Sequence, residues 1–485
     1  MRQKTTPVAQ DGVSKDGTGK PSLTYPPPDG PGDLEETTVG IGELVTTAVI
    51  VVLGVLGLRW VLAREADRFI RRVIVWGLVA KIVGTVARYT VMAELYGGVG
   101  DFGRYFAFGT QIAAELRDGQ WPEEASETGS SFMDFLSGIT YLALPDSLIA
   151  GFALFSALSF IGAYLFLAAF RLAVPDGDHR RYAVLIFFVP TMIFWPSSLG
   201  KEAWLVLTLG LAAYGGARVL RRERWGYVLA VIGVAAMFGV RPHMAALFAV
   251  CLAGAFVLRF RDPDIRRGTA AWFVGLLAVG LGAGLVATNF GDELPQDESI
   301  AGTQAEQIFA ETARRTTTGG SSFDSRPVRG PGDLGHALLT VPFRPFPWEG
   351  DNFQARLAGL EGFVLLLLVL GSLPRLLGLV GRVLRQPYVA LATAYTLGFV
   401  VAFSNVGNFG ILTRQRAQLI PLMLVLLCLP PLGEKLRRRQ RSPVLLDDQQ
   451  PVGVAGSPDE LPPSSGPLIP SSSAHPEVVE PVRRS

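Results

Sequence analysis

PTMIFWPSSLGKEAW, residues Pro190–Trp204, decides how this chain is read, because it sets two serines, a lysine and a glutamate between two long apolar runs. A charge placed near the middle of a bilayer costs on the order of 3 kcal/mol. Lys201 and Glu202 at a short junction between apolar runs therefore demand a structural or functional reason. Working outward, the rest of the chain reads as a membrane frame that brings other polar groups to the same side.

The composition supports that frame. The 485 residues are 49% hydrophobic with a mean hydropathy of +0.34, too apolar for a soluble chain of this length. The net charge of +2 speaks against a nucleic-acid partner, but the charges are segregated along the chain, and that segregation encodes topology. Cys251 and Cys428 both sit inside apolar runs, and His179, His243, His336 and His475 are scattered. No disulfide framework, metal site or cofactor is expected.

In order, residues 1–43 are rich in Pro, Gly, Asp and Thr and are expected to be a disordered tail rather than a signal peptide. Apolar runs follow at about 44–62, 73–95, 148–170, 182–195, 203–217, 227–240, 244–258, 270–287, 357–373, 388–403 and 417–432. The spacing predicts an all-α, polytopic transmembrane bundle of about eleven spans over residues 44–432. Arginine clusters after runs one, three, five, seven and nine, and the basic flank at 433–441, fall on one side. The positive-inside rule makes that side cytoplasmic, with the amino terminus outside and the carboxyl terminus inside. Two large segments, 96–147 and 288–354, fall on the outer side as loops, the second holding a short helix near 304–315. Past Ser442 a Pro/Ser-rich tail is expected to be disordered. Lys81 and Arg88, about two turns apart in the second span, are expected to face protein or water rather than lipid.

Three outer junctions are tight: SSLGKE, Arg241–His243, and Asn405–Gln418. The apolar runs beside them are shorter than the roughly 20 residues of a perpendicular span, so these junctions are expected to sink below the surface. Polar backbone at that depth survives only if it is buried in protein or lines a wet cavity. The expectation is an outward-open cavity rimmed by Lys201, Arg241, Arg414 and Arg416 and roofed by the two loops.

Each candidate residue has a plain reading beside a functional one. Asp101, in GGVGDFGRYFAFG, is either a helix N-cap with Arg104 as its local partner, or a catalytic carboxylate in a glycine-rich approach to a ligand. Ser198 and Lys201 match a Ser/Lys acyl-transfer spacing without the partner motifs, and Ser197 and Ser198 read better as caps of a helix starting near Lys201. Lys201 and Glu202 either neutralise each other and neighbouring loops or bind an anion. Arg241, Arg414 and Arg416 carry guanidinium forks that match phosphate, or they pair with Asp101, Glu202 or Glu361. On a helix Arg414 and Arg416 point to nearly opposite faces, so one at most meets a given ligand. His243 is a helix-start residue or a base. Residues 342–349, PFRPFPWE, are either an interfacial anchor or a lid that turns Arg344 and Glu349 toward the cavity.

With these residues in place, the layout resembles bacterial membrane proteins of cell-envelope polysaccharide assembly, the C-type lipid-linked-sugar glycosyltransferases and the O-antigen-type polymerases. The resemblance spans residues 44–432. It implies that Asp101, early in the first outer loop, acts on the acceptor, and that outer arginines such as Arg241, Arg414 or Arg416 bind the phosphate of a polyprenyl carrier. The chain departs from many C-type enzymes in having no DxD pair near Asp101 and an additional span before that loop. Two other function classes fit the same pattern: a transporter or flippase for an envelope lipid, and a non-catalytic membrane partner of an envelope complex.

Overall fold

The computed structural model describes residues 52–92 (53, 55 and 60 aside), 100–259, 322–350 and 353–431. All of them lie in the first of two compact units, Met1–Leu432; the second, Gly433–Ser485, lies outside the described residues. So do the expected tails, the span at 270–287, most of the span at 44–62, and the short helix near 304–315.

Among the described residues the regular structure is helical, with one isolated antiparallel bridge between Ser322 and Asn408. The helices are α1 (Arg68–Thr90), α2 (Asp101–Arg117), α3 (Ser130–Ala143), α4 (Leu148–Ala173), α5 (His179–Phe188), α6 (Pro190–Phe194), α7 (Lys201–Leu220), α8 (Trp225–Val240), α9 (Pro242–Arg259), α10 (Pro331–Phe343), α11 (Phe353–Leu370), α12 (Leu373–Leu376), α13 (Leu379–Val383), α14 (Pro387–Ala402) and α15 (Phe409–Leu427). Of these, α4, α7 and α11 are long and apolar enough to cross a membrane, while α8, α9 and α14 are apolar but shorter. The ends are capped from the sequence: Asp67, Ser147, Asp178 and Asn408 each accept a backbone N–H from the first turn of the helix that follows.

α7 is central, packed between α4 and α8. The approach is close because glycines meet backbone: a Cβ at Gly210 would lie 2.5 Å from the carbonyl oxygen of Gly162 on α4. Deepest in the core is α15, whose residues from Ala417 to Leu427 are all buried.

The arginine-rich joints gather at one end. Arg180 bonds Asp67 (2.8 Å), Arg171 pairs with Glu65, Arg375 with Asp178 (3.1 Å), Arg181 donates to the Ser372 hydroxyl (2.7 Å) and Arg221 to the Leu172 carbonyl (2.7 Å). Arg180 holds the Asp67 carboxyl below its usual range through its hydrogen bond. These bonds join the start of α1 to the end of α4 and the start of α5, and those in turn to the ends of α7 and α11; the polar groups of Pro190–Trp204 lie at the other end.

Four expectations need correction. The segment 96–147 is not a loop through most of its length, but a helical hairpin, α2 with α3. One face of α2 is apolar enough to bury Phe102, Tyr105, Ile112 and Ala113, and Gly109 and Gly138 let the two helices touch closely. The run 182–195 is broken, because Val189 before Pro190 is extended (φ −63°, ψ 125°), as the ring of a following proline demands. The run at 417–432 belongs to a helix that already begins at Phe409, so Arg414 and Arg416 lie within its first turns. Finally, α7 does begin at Lys201, but its N-cap is Gly200, and no serine caps it; Ser197 instead donates to the Ile193 carbonyl.

Lys81 and Arg88 face protein, as expected. The Lys81 ammonium donates to the carbonyls of Met192 (3.1 Å) and Pro196 (2.9 Å), and the Ser159 hydroxyl donates to the same Pro196 carbonyl (2.6 Å). These side chains replace the backbone donors lost where α6 stops short of α7, which is how an unwound stretch is tolerated in an apolar bundle. Arg88 lies against the faces of Phe194 and Trp195, 4.8 and 4.7 Å from the ring centres.

Candidate functional site

A cavity of about 400 Å³ opens at the end opposite the arginine-rich joints. Its wall is assembled from helix ends: the close of α1 (Arg88), the opening of α2 (Asp101, Tyr105), the turn into α7 (Trp195, Glu202), the first turns of α11 and the start of α15 (Arg414). Helix N-termini present unpaired N–H groups and a partial positive charge, so four such starts around one space favour an anion there.

From the wall inward, polar side chains form a chain of alternating charge. Asp101 is the first residue of α2, after Gly100, and its side chain is 64% exposed. Arg414 donates from Nη1 to the Asp101 carboxylate at 2.9 Å and lies 3.9 Å from the Glu202 carboxylate through Nε. Glu202 in turn meets Arg241 at 3.2 Å, and Arg241 donates to the Gln415 side-chain oxygen, which also accepts from Gln418 (2.6 Å). The chain runs from solvent at Asp101 to full burial at Gln418.

A second set stands behind α2. Lys201 donates to the Ser130 hydroxyl at 2.8 Å, and Arg104 pairs with Asp134 at 2.8 Å. The Asp134 side chain is 2% exposed, and burial pushes its carboxyl up to about 6 against the opposing pull of Arg104. Burial likewise pushes the Tyr105 phenol above its usual range, with the nearby carboxylates of Asp101 and Glu202 adding to it. The two rows place four cations, Arg104, Lys201, Arg241 and Arg414, against three carboxylates, Asp101, Glu202 and Asp134, and Arg88 on the cavity wall adds a fifth cation.

The structure thus separates the residues singled out from the sequence. Asp101, Glu202 and Arg414 share the cavity wall. Arg241 and Lys201 do not rim it: Arg241 is buried behind Glu202, and Lys201 is turned to α3. Lys201 and Glu202 do not neutralise each other, since adjacent helical residues diverge. Arg104 is not the local partner of Asp101; its guanidinium reaches across the hairpin to Asp134.

Arg416 points the other way from Arg414, as helical geometry requires, and is 1% exposed, donating to the Arg344 carbonyl. Arg344 does not turn to the cavity. It is locked to Glu349 (2.8 and 2.6 Å) and lies over the ring of Phe323 (4.6 Å), so that only Pro345 of this strap reaches the wall. His243 sits in the first turn of α9 with its ring 6.3 Å from that of Phe403, away from the cavity. Sequence reasoning missed two residues of the site. Arg88 was noticed only as a charge inside a span, and Asp134, hidden in a presumed loop, carried no signal of its own.

Among the described residues no group of three or more metal-ligating side chains could hold a metal ion. In comparisons with protein families, curated proteins and solved structures, nothing matches this chain.

Proposed function

We propose that the chain is a membrane glycosyltransferase or polysaccharide polymerase that uses sugars linked to a polyprenyl phosphate, working at the outer face of a multi-pass bundle of about eleven spans. In this reading the amino terminus is outside and the carboxyl terminus cytoplasmic, and the cavity faces the side where the carrier presents its sugar. The observation that carries the reading is the exposed Asp101 carboxylate held by Arg414 on the wall of a cavity that Arg88 also lines. A carboxylate there is placed to take the proton of an acceptor hydroxyl. As that oxygen bonds to the anomeric carbon, the bond from the anomeric carbon to the phosphate oxygen breaks. Its electron pair leaves on the phosphate, where Arg414 and Arg88 stabilise the charge. Arg241 and Lys201 then act from behind, Arg241 by fixing Glu202 and Lys201 by fixing the hairpin that carries Asp101.

A translocation path is the rival reading. It would need the cavity to continue toward the arginine-rich end, whereas two turns deeper on α1 the Lys81 ammonium closes onto the Met192 and Pro196 carbonyls. The test is the full chain in vesicles, supplied with a polyprenyl-phosphate sugar and a sugar acceptor. Asp101→Asn should still bind carrier while transfer falls by about 100-fold or more. Unchanged transfer by that variant, or carrier movement across the bilayer with no new glycosidic product from the wild type, would overturn the proposal.

A further inference from the structure

Between α11 and α14, at the end where the arginine-rich joints gather, the chain makes two short turns of helix, α12 and α13, whose side chains divide cleanly. Leu376, Leu379 and Val383 pack on the core. Arg375 donates to the Leu429 carbonyl (2.8 Å) and to Asp178 (3.1 Å), and Arg382 donates to the Pro430 carbonyl. The segment is therefore fastened to the bundle along one side. On its other side Leu373, Leu377, Val380 and Leu384 stand 48, 75, 78 and 53% exposed.

Their spacing of four, three and four residues makes this one continuous stripe on a helical path. It prolongs the exposed stripe of α11, formed by Leu360, Val364, Leu367 and Leu370, and α11 is one of the helices able to cross a membrane. Arg385, next to Leu384, is exposed as well.

We propose that this segment lies in the headgroup layer of the bilayer. Leu373, Leu377, Val380 and Leu384 sink to the boundary of headgroups and acyl chains, and Arg385 sits among the lipid phosphates. A stripe of aliphatic side chains flanked by arginine is what an interfacial helix presents to a membrane. A second copy of the chain fits less well, because four side chains on two broken turns fall short of the roughly 800 Å² per partner of a stable interface. The inference is independent of what the cavity does, and its test does not involve catalysis.

The experiment places an environment-sensitive fluorophore on Val380→Cys or Leu384→Cys in the full chain; native Cys251 and Cys428 are buried. Arg222→Cys, exposed at the same end, is the reference. Each protein is reconstituted, highly diluted, into vesicles of phosphatidylcholine and phosphatidylglycerol containing a lipid with a nitroxide near the headgroup end of its acyl chain. Quenching at both stripe positions should exceed that at the reference by about 3-fold or more. Equal quenching at all three positions overturns the proposal. So does shielding of Val380→Cys that grows with protein density and accompanies disulfide cross-linking between copies, which would assign the stripe to a second copy.

Discussion

Arg414, near the start of α15, donates a hydrogen bond at 2.9 Å to Asp101, the first residue of α2, across 313 residues of chain. The bond ties the segment 96–147 to the last described helix, and it puts the exposed carboxylate of the cavity wall in direct contact with a guanidinium of the same wall. Both partners remain partly open, Asp101 at 64% and Arg414 at 30%, so the pair is available to a ligand rather than sealed as a structural bridge. An exposed pair of this kind contributes little to folding.

Arg414→Lys keeps the charge but loses the planar fork. Carrier affinity should weaken by about 1–3 kcal/mol, with expression and thermal stability close to wild type. Titration of the reconstituted variant with a polyprenyl phosphate reads this directly. Wild-type affinity would remove Arg414 from phosphate binding.

The Glu202 and Arg241 side chains, 12% and 11% exposed, are a different kind of pair. Removing one partner leaves a buried charge behind, a loss of about 3–5 kcal/mol. The two losses should be unequal. Arg241→Gln leaves Glu202 beside Arg414, whereas Glu202→Gln leaves Arg241 with only the Gln415 oxygen among these partners, so Glu202→Gln should unfold earlier. The double variant should cost less than the two single losses added, and thermal unfolding of the three proteins in detergent checks both statements.

Asp134 makes stability depend on pH. Its folded carboxyl is raised to about 6 from 3.8, chiefly by burial, so the folded state holds this proton more tightly than the unfolded chain does. The contribution is fully present below about pH 4 and is lost as pH rises through about 6, on the order of 3 kcal/mol in all. Asp134→Asn should flatten the pH dependence of the unfolding midpoint across that window. A slope unchanged by the substitution would assign it to other groups.

Packing at two glycines should respond with opposite signs. A Cβ at Gly210 meets the Gly162 carbonyl oxygen at 2.5 Å, backbone that cannot move aside, so Gly210→Ala should cost about 1–3 kcal/mol. At Gly254 on α9 nothing lies within 4 Å of the same atom, and Gly254→Ala should gain about 0.5–1 kcal/mol from helix propensity. Unfolding midpoints that move in the same direction would contradict this account of the α4–α7 crossing.

Much of this was legible in the sequence, and the rest failed for identifiable reasons. The charges of Pro190–Trp204 located the site because charge inside apolar sequence is costly whatever the fold. The start of α7, the arginine-rich joints and the divergence of Arg414 from Arg416 follow from local rules of helix geometry and charge. The α2–α3 hairpin looks like loop in the sequence because its buried face is narrow and its other face polar, so composition outweighs period. Sequence alone pairs Arg104 only with near neighbours such as Asp101; the structure pairs it with Asp134, 30 residues on, through a helix contact that no local pattern announces. Arg344 was turned toward the cavity in the lid reading, and Glu349 takes it instead.

Sidedness is the expectation on which the outer cavity depends. The arginine-rich joints and the cavity lie at opposite ends of the bundle, so one labelled position at each end decides the orientation of the whole. Ser126, between α2 and α3, is exposed at the cavity end, and Arg222, between α7 and α8, is exposed at the other. Neither position carries a contact that the cavity needs, and the native cysteines are buried. In intact cells a membrane-impermeant thiol reagent should label Ser126→Cys and leave Arg222→Cys untouched until the membrane is opened, because arginine-rich loops are retained on the cytoplasmic side. The reverse pattern would turn the cavity to the cytoplasm. It would then face the side where nucleotide-activated sugars are available, and a carrier presenting its sugar outside could not be the donor. Labelling of both positions in sealed cells would mean that the two ends do not lie across a bilayer at all, which would remove the membrane frame from the argument and leave Asp101 and Arg414 as a surface pair.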